Sequence, residues 1–425
     1  MPLDSRSRRA LLCCGLALLV GCTATTPRMS AATAQKAAAG LPASDPIDSR
    51  WPASVEAFRT TAAEIYLGNL DSIVSEHGRV LKESPSASLR VSYSAALYHR
   101  FKVLGRIEDA EQALTQLDLA VAEDPGHANA RLLRATALGA FHRFADAEKD
   151  LAAARLIEGA DREATDRAQR EIDLALGRYA RLEPEFAASA KPTPDFYEAV
   201  HRADLQLMQG DLAGADFQFR SAQIAYNDVS PVPLAWLHVQ RGIASLRFGD
   251  VASARPFFAS AHQRLPRYYL AKEHLAEAEA ALGNHDAARK LYVEVIEQTG
   301  NPEFAAALAS LESAAGNKTE AARRTAEARA AYAALYARHP DAYAQHYAEF
   351  LLEVGEPARA LELAERNIAL RQDVGSWILL AQAADANHRE ERACAAYGRA
   401  VATGRTPPEL SELEKLAVRC QRVRE

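Results

Sequence analysis

The sequence contains few cysteines and no apolar run near its start that is long enough to cross a bilayer. Five of its 425 residues are Cys, which argues against a small fold held together by many disulfides. The apolar run over residues 10–20 has 11 residues, whereas a membrane-spanning helix needs about 20. This run therefore does not predict a spanning helix.

Alternating runs rich in Val, Ile and Thr are missing, whereas Ala is very abundant. This composition favours helix throughout the chain. Charged residues make up 25% and hydrophobic residues 48% of the sequence, which are ordinary values for a soluble protein. The net charge of −6 provides no basic surface for nucleic acid. We therefore predict an all-α fold that does not bind nucleic acid.

The sequence also lacks the common catalytic motifs. It has no G-x-S-x-G nucleophile turn, no G-x-x-x-x-G-K-[ST] phosphate loop and no H-E-x-x-H zinc helix. Its 12 His are scattered, and two neighbouring ones, His274 and His285, are expected on different helices of one hairpin. Carboxylate pairs such as Glu277 and Glu279 are interpreted as solvated helix faces. We therefore expect no catalytic, cofactor or metal site.

The first residues form a segment of their own. Three Arg side chains precede the apolar run, which ends in Leu19-Val20-Gly21-Cys22. This segment resembles a bacterial lipoprotein signal peptide (residues 1–21) with its lipobox. The resemblance implies cleavage before Cys22 and attachment of diacylglycerol and further acyl chains, such as palmitate, at Cys22. Several acyl chains give a stable anchor, since each buried CH₂ contributes about 0.8 kcal/mol.

The residue after Cys22 bears on the destination of such a lipoprotein. It is Thr23, whereas an Asp would suggest retention in the inner membrane. The resemblance therefore favours an outer-membrane anchor with the body facing the periplasm. An ordinary cleaved signal or an N-terminal core helix is the alternative. Residues 22–50 are rich in Ala, Thr, Ser and Pro and are predicted to be a flexible tether.

A repeated unit is clearest at residues 247–266. A helix is predicted to end at Gly249, and the next begins after Asp250, with Ala254, Phe258 and Ala261 on one face. A second copy has its glycine at Gly283, which lies 34 residues after Gly249. A fixed period of this size is typical of a solenoid of stacked helices.

The same register can be followed through most of the chain. The residues predicted to lie at the turn between two helices are Gly68, Gly105, His142, Gly177, Gly210, Gly249, Gly283, Gly316, Gly355 and His388. Most are Gly, which suits a helix end where φ is positive. Small residues, mostly Ala, recur five residues after these positions and seven residues before them. Small side chains at both places allow the two helices of a hairpin to approach closely.

This pattern resembles the tetratricopeptide repeat. The best copy has the family's small residues at Gly242, Ala254 and Ala261, an aromatic residue at Phe258 and a closing Pro266. The resemblance implies an α-α superhelix of about ten hairpins. It is strong over residues 195–405 and weaker over residues 51–194, which we interpret as divergent hairpins. Pro184 falls inside an expected second helix, so the register between residues 160 and 195 stays open.

The end of the array differs from the rest. Residues 319–338 form one uninterrupted Ala-rich helical run, which predicts a helix longer than its neighbours. Residues 406–425 are predicted to contain a capping helix, because the last repeat has no successor to cover it. Cys394 and Cys420 are the two cysteines beyond Cys22. In an oxidising compartment we expect them to form a disulfide, with two separate thiols as the alternative.

In the tetratricopeptide family, the first helix of each repeat lines a concave groove. The resemblance implies an apolar and aromatic part of that groove and an acidic part beside it, formed by Tyr197, Val200, Asp204, Leu207, Met208, Trp236, Val239, Ile243, Leu246, Arg247, Glu273 and Glu277. The alternative is that Trp236 and Tyr197 fill gaps between helices.

The leading hypothesis is a non-catalytic scaffold that holds an envelope protein or peptide with hydrophobic anchors and basic residues. The alternatives are a self-associating structural envelope protein, for which a homodimer is possible, and less favourably an enzyme or a carrier of a small ligand.

Overall fold

The computed structural model describes residues 59–188 and 195–422, and these residues are helical with no strand among them. The signal peptide and the tether lie outside the described residues. The helices are α1 (Ala63–Glu83), α2 (Ala87–Leu104), α3 (Ile107–Glu123), α4 (Ala128–Ala140), α5 (Phe144–Arg155), α6 (Arg162–Ala175), α7 (Tyr179–Ala188), α8 (Phe196–Met208), α9 (Leu212–Ala225), α10 (Pro231–Arg247), α11 (Val251–Arg264), α12 (Tyr269–Ala281), α13 (His285–Thr299), α14 (Pro302–Ala314), α15 (Lys318–Arg338), α16 (Pro340–Glu353), α17 (Pro357–Leu370), α18 (Val374–Ala386), α19 (Glu390–Ala402) and α20 (Glu414–Arg422).

Helices α2 to α19 pair consecutively into nine hairpins, which confirms the predicted helical solenoid. Nine of the ten predicted turn residues have positive φ, between 55° and 85°, including His142 and His388, where Gly is absent. After two of these turns an aspartate follows, Asp211 or Asp250, and caps the second helix. The Asp250 carboxylate, for example, accepts a hydrogen bond from the Ser253 N–H at 2.9 Å. A turn residue with positive φ therefore ends the first helix of each hairpin, and in these two hairpins a side-chain cap also begins the second helix.

Two predictions of local structure require correction. Gly68 is not a turn residue, because α1 runs through it without interruption from Ala63 to Glu83. Pro184 does not interrupt the helix after Gly177, because α7 continues past it to Ala188. The long helix is confirmed as α15, with 21 residues. The predicted C-terminal helix is divided into a 3₁₀ turn, Pro408–Leu413, and α20.

The superhelix is wound so tightly that successive turns touch. The Gln298 side chain donates to the Leu104 carbonyl at 2.9 Å, and His142 Nδ1 lies 3.1 Å from the Asp341 carbonyl oxygen. The Thr406 hydroxyl donates to the Gln209 carbonyl at 2.8 Å. These pairs are separated by 194, 199 and 197 residues. One superhelical turn therefore takes between five and six repeats of roughly 34 residues.

The hydrophobic core crosses these contacts between turns. One buried cluster combines Leu67 and Leu104 from the first turn with residues of α8 to α14. A second combines Leu97 and Leu117 with residues of α14 to α20. The core is therefore continuous from one superhelical turn to the next, beyond the nearest-neighbour packing that a simple repeat array requires.

Candidate binding surface

The predicted groove residues lie on α8, α10 and α12, the first helices of their hairpins, and most residues of these helices are buried. In α12, 12 of 13 residues are buried, and in α14, 10 of 13. Their second helices, α13 and α15, bury 3 of 15 and 4 of 21 residues. The second helices thus present one apolar stripe to the hairpin, whereas the first helices are enclosed from several sides.

The structure brings the apolar groove candidates into one core cluster, except Met208, which belongs to a smaller one. Ten of the twelve predicted groove residues are buried, and Tyr197 and Ile243 are half-buried. The Trp236 ring packs against Phe196 with their centroids 6.2 Å apart, and Phe196 also contacts the Tyr197 ring at 5.2 Å. Val200, Leu207, Val239 and Leu246 belong to the same cluster. These contacts fit the gap-filling alternative, while a role in binding stays a prediction.

Arg247 and Met208 lie where the end of the chain meets the middle of the superhelix. The Arg247 guanidinium donates to both carboxylate oxygens of Glu409, at 2.7 and 2.9 Å, and both side chains are buried. The Met208 carbonyl accepts from the Thr406 N–H at 2.9 Å. The 3₁₀ turn therefore covers this end of the predicted groove.

The acidic part of the predicted groove contains histidines that the sequence reasoning did not select. His274 Nδ1 lies 3.1 Å from a Glu273 carboxylate oxygen and 2.9 Å from one of Glu277. In α16, His346 Nδ1 lies 3.0 Å from Glu303 and 3.5 Å from Glu349.

A signal for these histidines was present in the sequence. His201, His274 and His346 each lie nine residues before the turn glycine of their repeat. Recurrence at one position of the repeat indicates that the three imidazoles occupy equivalent places on the first helices.

Burial perturbs the protonation of these inner groups. It raises the pKa of Glu171 to about 8 and that of Asp204 to about 7, because the charged form loses its hydration. It lowers the pKa of His201 to about 4. For His346, burial opposes the charged form, but the carboxylates of Glu303 and Glu349 outweigh it and raise the pKa.

Glu273, His274 and Glu277 are the residues best placed to hold a metal ion among those the structure describes. Their three donor atoms lie within 4.8 Å of one another, and carboxylate and imidazole are ligands that Zn²⁺ accepts. Hydrogen bonds between the imidazole and the two carboxylates account equally well for this geometry, so no metal is assigned. Glu277 and Glu279 are both buried, and the prediction of a solvated face was therefore wrong.

The predicted covalent sites lie at opposite ends of the chain. Cys394 on α19 and Cys420 on α20 form a disulfide with a Cα–Cα distance of 5.3 Å. It joins the last hairpin to the helix that follows it. Cys22 lies outside the described residues.

Comparison with known proteins supports the repeat. Residues 245–311, from the end of α10 into α14, match the model of the tetratricopeptide repeat. This part of the chain is similar to the tetratricopeptide repeat. The match includes the turns at Gly249 and Gly283, where the sequence pattern is clearest. The matched segment also contains Glu273, His274, Glu277 and Glu303.

Among solved structures, the human IFIT1 dimer with m7Gppp-AAAA is 13% identical over 86% of this chain and 89% of its own, with a TM-score of 0.43. A tetratricopeptide-repeat protein from Parabacteroides merdae is 14% identical over 79% of this chain and 100% of its own, with a TM-score of 0.29. Both scores are low, so neither structure is a guide to the function of this chain. No curated protein matches the chain.

Within the described residues, no helix combines the length and apolar character that a membrane crossing requires.

Proposed function

We propose that the chain is a protein-binding scaffold of the bacterial cell envelope, anchored through lipid at Cys22. The tetratricopeptide match and the consecutive helical hairpins support a scaffold. The signal-like sequence before Cys22 motivates the anchor, and the alternative is a protein secreted without lipid.

One observation supports the kind of partner that we propose. Carboxylates recur on three successive first helices, with Glu273 and Glu277 on α12, Glu303 on α14 and Glu349 on α16. We call the surface formed by these carboxylates and the predicted groove residues the inner face. Apolar residues of α12 and α14 belong to the same buried cluster as Trp236. A partner segment with basic side chains next to hydrophobic anchors is complementary to this arrangement.

Binding at this face requires movement of the superhelical turns. Most of the groove residues are buried, and the Arg247–Glu409 ion pair closes one end. We propose that the partner segment separates the turns and replaces their contacts. Glu409→Gln, which weakens the closing ion pair, should then increase binding.

Affinity capture of crosslinked envelope partners tests the scaffold. The combination of Glu273→Gln and Glu277→Gln removes two negative charges while keeping the shape of the side chains. It should weaken capture of the partner, and the remaining capture should no longer depend on salt concentration. Tyr197→Ala combined with Trp236→Ala should weaken it further. Glu76→Gln combined with Glu83→Gln on the exposed face of α1 is the matched control. Equal recovery by all variants would contradict binding at the inner face.

The anchor has its own test. Cys22→Ser should release the protein from the outer-membrane fraction into the soluble periplasm. Retention in the membrane fraction would show that the chain is held by something other than lipid at Cys22.

Self-association is the second candidate. Phe217 and Ile224, seven residues apart on α9, are 60% and 65% exposed, an unusual pair for the outside of a solenoid. If this face dimerises, mass measurement at micromolar concentration should give a dimer that Phe217→Ser dissociates. A monomer in both cases would eliminate this candidate.

A further inference from the structure

A cleft of about 580 Å³ lies at a junction between superhelical turns, and none of the twelve predicted groove residues lines it. The turn between α6 and α7, the turn after α8 and the segment after α19 form its walls. Gly177 is packed so closely there that a Cβ would lie 2.7 Å from the Asp373 backbone. Contacts between the two turns therefore fix the shape of the cleft.

The lining of the cleft is rich in arginine. Arg178, Arg181 and Arg405 line it, together with one carboxylate, Glu183. Arg178 and Arg181 both contact Asp173, at 3.0 and 3.2 Å, and Arg178 also pairs with Glu148. Arg181 keeps 62% of its side chain exposed. Its donors are therefore accessible from the cleft.

Arg405 is the most constrained of the three. It is 5% exposed, its guanidinium lies over the Tyr179 ring at 4.7 Å, and it pairs with Glu183. Among the described residues, none accepts a hydrogen bond from its Nε. A buried donor without an acceptor costs free energy, about 1–3 kcal/mol in proteins. Nε itself is buried, whereas Nη2 pairs with the carboxylate of Glu183, whose side chain is 50% exposed. An oxyanion in the cleft would therefore reach Arg405 by replacing Glu183 at Nη2.

Helix α7 adds a second attraction for negative charge. Tyr179 and Ala180, at its N-terminus, line the cleft. The first N–H groups of a helix have no acceptor within the helix, and the helix dipole favours an anion there. The guanidinium fork of Arg also matches the geometry of carboxylate and phosphate groups.

We propose that this cleft binds a small molecule through a carboxylate or phosphate group held by Arg405 and Arg181. Glu183 occupies part of that site and competes with the ligand for Arg405. The cleft volume is in the range of small-molecule sites. This site is separate from the inner face and does not depend on the scaffold proposal.

Calorimetric titration of the mature chain, carrying Cys22→Ser to keep it soluble, tests the site. Inorganic phosphate and succinate are titrated separately at constant ionic strength in chloride. At least one should bind, and Arg181→Gln should weaken that binding about tenfold, the effect of one charged hydrogen bond. Glu183→Gln should strengthen it severalfold, because the competing carboxylate is gone. Binding of phosphate alone or of succinate alone identifies the ligand's anionic group.

Arg143→Gln is the matched control, since Arg143 is an exposed arginine paired with Asp146 outside the cleft. Its binding should equal that of the unsubstituted chain. Because Arg181 is exposed, its replacement should leave the thermal unfolding temperature unchanged, which separates lost binding from lost folding. The proposal is overturned if neither anion binds, or if Arg181→Gln and Glu183→Gln both bind like the control.

Discussion

The two helices of the hairpin α12–α13 have similar local character but very different surroundings. Both are rich in helix-forming residues and both carry charges. Yet α12 buries 12 of its 13 residues, including Glu273, His274 and Glu277, whereas α13 buries only Ala288, Tyr292 and Val295. The difference shows that position in the superhelix, more than the polarity of the sequence, determines which faces are buried. Substitutions that act on the first helices should therefore cost more than similar ones on exposed faces.

The largest effect is expected for Glu409→Ala. It leaves the Arg247 guanidinium of a first helix, α10, buried without its carboxylate, which costs about 3–5 kcal/mol of unfolding free energy. Urea unfolding measures this loss. Glu83→Ala, which removes an ion pair with Arg79 from an exposed face, should change little. Similar losses of unfolding free energy for Glu409→Ala and Glu83→Ala would contradict the difference that we expect between buried first-helix contacts and exposed faces.

A smaller loss is expected for Gly242→Ala, also on α10. The added Cβ would lie 2.3 Å from the Phe258 ring, and Phe258 is fully buried on the second helix of the hairpin. Overpacking of this kind costs about 1–3 kcal/mol. Thermal unfolding should therefore show a lower Tm. An unchanged Tm would mean that the two helices of the hairpin can move apart around the added methyl without a loss of stability.

The pH dependence of stability should reveal the buried carboxyl of Glu171 on the first helix α6. Its pKa is raised to about 8 from its usual 4.5, so the folded chain keeps a proton that the unfolded chain releases. Stability should fall as pH rises between about 4.5 and 8. Glu171→Gln should remove part of this fall, on the order of 2 kcal/mol at pH 8. Unfolding curves of the unsubstituted chain and of Glu171→Gln at pH 5 and pH 8 provide the measurement. An identical pH dependence of stability in the two proteins would contradict this prediction.

The smallest effect should have the opposite sign. Gly68 lies inside α1, and no atom lies within 4 Å of a Cβ placed there. Gly68→Ala should stabilise the chain by about 0.5–1 kcal/mol, since Ala loses less backbone entropy on folding. A lower free energy of unfolding for Gly68→Ala would instead indicate that Gly68 has the backbone conformation of a turn residue. Because the added methyl is the same, this variant is also the control for Gly242→Ala.

Much of the fold could be predicted from local features. The spacing of the repeat located nine of the hairpin turns, seven at Gly and two at His, and the uninterrupted Ala-rich run predicted α15. The prediction at Gly68 was wrong, because glycine inside a helix and glycine at a turn cannot be distinguished without the residues around them. The groove residues were chosen by their position in the repeat, and that position does lie on the first helices. Their burial, and the histidine–carboxylate contacts, were not predicted.

The sequence by itself determined the helices, their pairing and the order of the repeats, because these depend on residues within about 34 positions of one another. Only the tertiary structure decided how tightly the superhelix winds. Contacts such as His142 with Asp341 and Arg247 with Glu409 join residues 199 and 162 positions apart, and no local pattern specifies them. Those contacts bury the charged faces of the first helices and place Arg178, Arg181 and Arg405 around one cleft. The physical reason is that small rotations between neighbouring repeats accumulate along the solenoid, so that distant surfaces meet only once the whole chain is folded.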